Sequence, residues 1–273
     1  MKICVIVTTY NRPDALRAVL DGYLAQSERD FELIVADDGS TRETKAVAEE
    51  WAGRAPFELR HVWQPDEGFR AAAIRNRAMA QTRAEYILFT DGDCVPSQTF
   101  VAQHRRLAEP GCFLAGNRIL LSEAFTRRAL QQSLSVHRFT WADWLRARAG
   151  GEVNRTIPLI RLPDGAWRKR HARQWEGVKT CNLSAWRTDL VAVNGLDEVY
   201  SGWGLEDSDL VIRLIHAGVR NKSARFAAPV FHLWHRENDR SRLPENRRRL
   251  DELLHSTRTR AQRGLDQYAG AMQ

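Results

Sequence analysis

Tyr86-Ile87-Leu88-Phe89-Thr90-Asp91-Gly92-Asp93 decides how the chain is read. Tyr86 to Phe89 is a short apolar run of the kind that makes a buried strand, and where the run ends it presents two carboxylates spaced i, i+2. In open α/β sheets, ligands bind beyond the carboxyl ends of the strands. Two carboxylates at that point, with a glycine between them that lets the backbone turn, suit a hard divalent cation that carries a phosphate ligand and keeps some waters. A simple Asp-Gly turn closing a strand would look the same, so the neighbouring segments must decide.

Upstream, Ile3 to Val7, Phe31 to Ala36 and Leu59 to Trp63 read as three further strands. Between them, Pro13 begins a helix with Leu16, Val19, Leu20, Tyr23 and Leu24 on one face, and Ser40 or Thr41 is placed to cap a helix carrying Val47 and Trp51. A third helix should run from near Arg70 to about Gln81. Strands alternating with helices predict right-handed βαβ crossovers, hence an α/β fold with a doubly wound, mostly parallel sheet. Downstream the rhythm loosens. Ser97 can cap a helix to about Ala108, Phe113 to Leu121 reads as extended, and residues 122–176 have no clean period, as expected of an insertion of helices and mobile loop. Val178 to Trp186 reads as a strand, a helix starts near Glu206 and stops at Gly218, and Phe226 to Phe231 reads as a last strand. The arginine-rich tail from Arg236 reads as an outer helix or a partly ordered end.

With 273 residues, 43% of them hydrophobic, the chain can bury the core of one large α/β domain. No run has the length of a membrane-spanning helix, and Met1 to Val7 is too short for a signal sequence, so the expected location is the cytoplasm. Cys4, Cys94, Cys112 and Cys181 lack the paired spacing of a disulfide framework or a zinc site and are expected as reduced thiols. The formal charge of +7 comes from 41 Lys and Arg against 34 Asp and Glu. Such an excess is compatible with nucleic acid, anionic lipid or a negatively charged small substrate. It is concentrated in residues 122–176, where 11 basic and 5 acidic residues are interleaved with Trp141, Trp144, Trp167 and Trp175.

The loops after the strands offer what a nucleotide diphosphate uses. Thr8-Thr-Tyr10-Asn11 supplies backbone amides and an aromatic face, Asp37-Asp38 can accept from a pyrimidine N–H, and Arg70 and Arg75 can pair with phosphates. Each alone is weak, since a turn explains Asp-Asp-Gly-Ser as well and helical arginines are usually solvated. Their order is more specific. Val-Ile-Val-Thr-Thr-Tyr-Asn-Arg-Pro, Ile-Val-Ala-Asp-Asp-Gly-Ser-Thr, Asp-Glu-Gly-Phe-Arg-Ala-Ala-Ala-Ile-Arg-Asn-Arg and Phe-Thr-Asp-Gly-Asp-Cys together resemble the N-terminal half of family 2 glycosyltransferases of the GT-A fold. The later Gly202-Trp203-Gly204-Leu205-Glu206-Asp207 resembles the C-terminal motif of galactosyltransferase-type and chondroitin-polymerase-type enzymes.

The resemblance implies one GT-A domain with residues 1–117 as the nucleotide-sugar-binding half and 118–235 as the acceptor-binding and catalytic half. The basic tail 236–273 and the acceptor-side insertion lie outside it. It implies that Thr8, Tyr10 and Asp38 hold a uridine with Asp37 beside it, and that Arg75, with Arg70, binds the diphosphate or orients the loop. Asp91 would address the ribose or the metal, and Asp93 would ligate Mn²⁺ or Mg²⁺. A C-terminal histidine, His235 or His232, would complete the metal shell, and the softer imidazole favours Mn²⁺. Glu206 and Asp207, in the first turn of a helix, sit where the dipole favours ionised carboxylates. By resemblance Asp207 is the base and Glu206 contacts a sugar hydroxyl, while Trp203 can stack on a sugar face.

The implied activity is an inverting transfer of a hexosyl group (Gal, GalNAc or GlcNAc) from a UDP-sugar to a glycan or glycolipid hydroxyl of a bacterial cell surface, such as a lipopolysaccharide. Anionic membrane is a possible contact at the cytoplasmic face, and nucleic acid is not an expected partner. Two alternatives remain: a nucleotidyltransferase, against which the lack of a glycine-rich, lysine-containing phosphate loop counts, and a non-catalytic basic binding module.

Overall fold

A computed structural model describes residues 1–237 and 239–271. The first half alternates as expected: β1 (Ile3–Thr9), α1 (Pro13–Leu24), β2 (Phe31–Asp37), α2 (Arg42–Ala52), β3 (Leu59–Trp63), α3 (Ala71–Ala80) and β4 (Tyr86–Asp91). It continues through β5 (Cys94–Pro96), α4 (Phe100–Leu107), β6 (Cys112–Ala115), β7 (Arg118–Leu120), α5 (Glu123–Gln131) and α6 (Trp141–Ala149). The remaining elements are β8 (Asn182–Trp186), α7 (Arg187–Ala192), α8 (Glu206–His216), β9 (Arg220–Ser223), β10 (Val230–His232) and α9 (Leu243–Leu254).

The main sheet has the order β3-β2-β1-β4-β8-β6-β9. Its left half is parallel, and the register Ile3↔Phe31 and Ile3↔Tyr86 brings β1, β2 and β4 to the same edge, where Thr9, Asp37 and Asp91 end the three strands. Tyr86, Ile87, Leu88 and Phe89 are each fully buried, because helices cover both faces of β4. β8 runs antiparallel to both β4 and β6. A second sheet, β5-β10-β7, stands beside the main one.

Several boundaries differ from the sequence expectation, each for a local reason. The strand read from Val178 begins at Asn182, since Asn182 N–H bonds to Lys179 O and makes the preceding residues a turn. The last strand is confined to Val230–His232 and joins the small sheet. β9 was not expected at all: Arg-Asn-Lys-Ser carries no apolar signal, and its buried Lys222 is held by Glu109 at 3.1 Å and Asp164 at 2.9 Å.

The insertion and tail are built into the domain. Trp144 of α6 is buried and stacks on Phe231 of β10 with ring centroids 4.4 Å apart. Leu250 and Leu253 of α9 pack with Ile212 of α8, and Leu265 lies in the core with Met79, so the tail is not merely an outer appendage. Among the described residues no helix is long and apolar enough to cross a membrane.

Candidate active site

The level ends of β1 and β4 form the floor of a cavity of about 440 Å³, lined also by the residues that precede and open α8. Thr8 O accepts the Gly92 N–H at 2.7 Å, holding the Asp-Gly-Asp turn against β1. A Cβ on Gly92 would lie 2.8 Å from Thr9 Cβ and Oγ1 and 3.2 Å from Thr8 O. Close approach to β1 is therefore what requires glycine at this position.

α8 reaches the same cavity after a sharp turn. Gly202 (φ 72°), Gly204 (φ 105°) and Leu205 (φ 78°) all adopt left-handed backbone, so two of the three positions suit glycine. The turn puts Glu206 and Asp207 on the first turn of α8, both buried and both lining the cavity, with Trp203 and Gly204 beside them. Asp207 Oδ2 accepts the Thr180 N–H at 3.3 Å and lies 4.0 Å from Lys179 Nζ.

Arg75, only 4% exposed, ties these parts together. Its Nε donates to Thr8 Oγ1 at 3.0 Å, one Nη to Asp91 Oδ1 at 3.0 Å and the other to Glu206 Oε1 at 3.3 Å. Burial, opposed by Arg75 and reinforced by Asp93 and Asp207, pushes the Asp91 pKa up to about 6. Burial and the neighbouring charge of Asp207 push that of Glu206 up to about 7. Glu206 Oε2 is buried without a hydrogen-bond partner among the described residues, which leaves it free for a ligand hydroxyl.

On the expected nucleotide side, Asp38 accepts from Gln64 Nε2 at 2.6 Å and from the Arg70 backbone N–H at 2.7 Å, and burial raises its pKa. Tyr10 stands 49% exposed at the cavity, its hydroxyl donating to Asp66 at 2.9 Å. Asn11 lines the cavity with φ 47°, and its side chain accepts the Thr41 N–H.

Two expected binding residues lie elsewhere. Asp37 is fully buried and turned away, accepting the Ser40 N–H at 2.8 Å and facing His61 Nε2 at 2.9 Å, so it braces the β2 end instead of lining the cavity. The Arg70 side chain is also outside the lining, tied to Glu67 at 2.7 Å and to Pro65 O at 2.8 Å. Conversely, the cavity includes Phe69, Arg118 and Lys179, which sequence reasoning missed. Lys179 sits in the turn before β8, and Arg118 reaches the site only because β7 pairs with β10; neither fact has a local sequence signal.

Asp93 meets both candidate histidines. His232 Nε2 lies 3.7 Å from one carboxylate oxygen and His235 Nε2 3.4 Å from the other. His235 Nδ1 is 2.6 Å from Arg236 O, and since a carbonyl only accepts, Nδ1 carries a proton and Nε2 is the ring nitrogen turned to Asp93. Two imidazole nitrogens and a carboxylate converging at these distances form a donor set that a shared cation can occupy. Burial lowers the His232 pKa, which favours the neutral, ligating form of that ring. The residues thus fit a divalent ion, and no choice between the histidines is forced. Cys94 and Cys181, distant in sequence, bring their thiols within 4.8 Å of each other and of Asp91; all four cysteines are free and buried.

A family model described as Glycosyl transferase family 2 matches residues 4–157, and one described as N-terminal domain of galactosyltransferase matches residues 167–236. A validoxylamine A glucosyltransferase of Streptomyces hygroscopicus subsp. limoneus is 29% identical over 236 residues, which are 80% of this chain and 48% of that protein. A chondroitin synthase of Escherichia coli is 22% identical over 248 residues, covering 82% of this chain and 34% of the relative. The chain spans about half the length, 48% and 52%, of the two validoxylamine A glucosyltransferases it matches. Among solved structures, S. aureus TarS 1-349 in complex with UDP superposes with a TM-score of 0.62 at 15% identity, covering 100% of this chain and 70% of that one. A Pyrobaculum calidifontis mannosyltransferase in complex with GDP-Man and Mn²⁺ gives a TM-score of 0.59 at 18% identity, covering 86% and 57%. These likenesses establish the GT-A arrangement of the mostly parallel seven-stranded sheet.

Proposed function

The chain belongs to glycosyl transferase family 2, and from that premise we propose that it is a metal-dependent, inverting hexosyltransferase using a UDP-sugar donor. The observation that carries this reading is a single cavity shared by the Asp93, His232 and His235 cluster and by Asp207 at the start of α8. Thr8, Tyr10, Asn11 and Asp38 hold the uridine end of the donor. Asp93, His232 and His235, with Asp91 beside them, would hold Mn²⁺ or Mg²⁺, which when bound neutralises the charge that grows on the departing diphosphate.

Asp207 accepts the proton of the acceptor hydroxyl as its oxygen attacks the anomeric carbon. The bond from that carbon to the diphosphate oxygen breaks and its electron pair leaves with UDP, so configuration inverts in one displacement. Glu206, whose raised pKa leaves it part-protonated near neutrality, can donate to or accept from a sugar hydroxyl through its unpartnered oxygen. Trp203 lines the wall and offers a face to the sugar.

Galactose, GalNAc and GlcNAc are the proposed sugars, in keeping with the match to the galactosyltransferase model and with a TarS structure determined with UDP-GlcNAc. The acceptor is a hydroxyl of a bacterial cell-surface glycan or glycolipid. The nucleotidyltransferase and non-catalytic readings gain no support from the relatives. UDP release from UDP-Gal, UDP-GalNAc, UDP-GlcNAc and UDP-Glc, each with and without Mn²⁺, tests the proposal. Release that depends on the ion, from at least one donor, is the expected result; none from any donor, with no UDP binding, would overturn it.

The proposed place of work is the cytoplasmic face of a membrane carrying anionic lipid. Trp144 is buried and so does not serve such a contact. Trp141 and Leu145, one turn apart on α6, are 51% and 56% exposed, and Ile157, Ile160 and Leu162 follow at 62%, 43% and 39%. Arg138, Arg146, Arg148, Arg155 and Arg161 accompany them in sequence. Cationic groups near an anionic leaflet contribute about 1 kcal/mol each, and tryptophan favours the headgroup zone. Co-sedimentation with anionic vesicles at low salt, released at high salt, is expected; equal recovery with neutral vesicles, or none with either, would remove the membrane from the account.

A further inference from the structure

The donor's two phosphates require protein cations as well as a metal, and the sequence offers Arg75 and Arg70 for the task. Neither is available. Arg75 spends its guanidinium on Thr8, Asp91 and Glu206, and Arg70 is held outside the cavity by Glu67 and Pro65. A phosphate drawing Arg75 away would leave buried Glu206 and half-buried Asp91 without their shared cation, and stranding a buried carboxylate is costly.

Arg118 is placed differently. It opens β7, whose pairing with β10 sets Arg118 opposite Val230, two residues before His232. It lines the cavity and, among the described residues, has no carboxylate within ion-pair distance. Burial works against its charge while the carboxylates of Asp91 and Asp93 favour it, so its guanidinium lies in the field of the Asp-Gly-Asp turn. A half-buried arginine beside the metal ligands, with donors unspent, matches an anion that shares the metal.

Resting on the donor reading above, we propose that Arg118 is a protein cation that holds the nucleotide diphosphate, and that Arg75 is an internal strut that positions Asp91 and Glu206. The strut keeps the floor of the site and the start of α8 at fixed separation. Arg118 then contributes only when phosphates are present.

That difference is the test. UDP and uridine are titrated calorimetrically, in Mn²⁺, into the wild type, Arg118→Ala, Arg118→Lys and Arg75→Gln. Arg118→Ala should weaken UDP by about tenfold or more, the scale of one charge-assisted hydrogen bond, and leave uridine unchanged. Arg118→Lys should recover part of the loss. Arg75→Gln should weaken UDP and uridine together, because Thr8 and Asp91 lose their common anchor. Unchanged UDP affinity in Arg118→Ala, or an equal loss of uridine, would overturn the assignment. Wild type that binds no UDP would overturn the donor reading itself, and Arg118 with it.

Discussion

Asp93→Ala is expected to remove the divalent-dependent part of UDP binding, so that its affinity in Mn²⁺ falls to the value wild type shows in EDTA. Among the described residues Asp93 is the one carboxylate that both His232 and His235 face, at 3.7 and 3.4 Å. Removing it deletes a ligand atom and a negative charge from the cluster and leaves the two imidazoles with only Asp91 beside them. Loss of a mere supporting partner around a metal costs about 10–100-fold in affinity, and loss of a ligand should cost at least that. Calorimetric titration of UDP with and without Mn²⁺ gives the comparison directly. Equal UDP affinity in Mn²⁺ for Asp93→Ala and wild type would remove the metal from this site.

The parallel half of the fold was legible because its signals are local. Apolar runs such as Ile3 to Val7 and Tyr86 to Phe89 are buried on both faces, so their composition alone marks them. Helix α8 was equally plain, with Leu210, Val211 and Leu214 buried on one face and Gly218 (φ 89°) at its end. β9 was hidden because its buried lysine is paid for by Glu109 and Asp164, which lie far away in the chain. The two thiols of Cys94 and Cys181 likewise meet only through the pairing of β4 with β8 and the turn beyond it.

Residue types in the site were easier to read than their tasks. Asp37 is the last residue of β2 and Asp38 lies in the bend beyond it; Asp38 lines the cavity while Asp37 turns toward Ser40 and His61. A doublet in sequence says nothing about which is which. Arg75 was marked as a cation near phosphates or a loop brace, and the geometry favours the brace, since its donors are spent on Thr8, Asp91 and Glu206. Arg118 lies in a short strand of Arg-Ile-Leu with no motif around it, and only the β7–β10 pairing discloses its place.

The central claim is that Asp207 is the base of a single displacement, and Asp207→Asn addresses it most directly. The amide keeps the shape of the side chain and its place on α8, but it cannot take a proton. The Thr180 N–H can donate to an amide oxygen as it does to the carboxylate, so the fold of the turn should persist. Turnover, followed as UDP release with the donor that the wild type prefers, should fall by about a hundredfold or more, the scale of a general base. Affinity for the UDP-sugar should stay at the wild-type value. A variant that binds the donor weakly but turns over at the wild-type rate would make Asp207 a donor contact and contradict the mechanism.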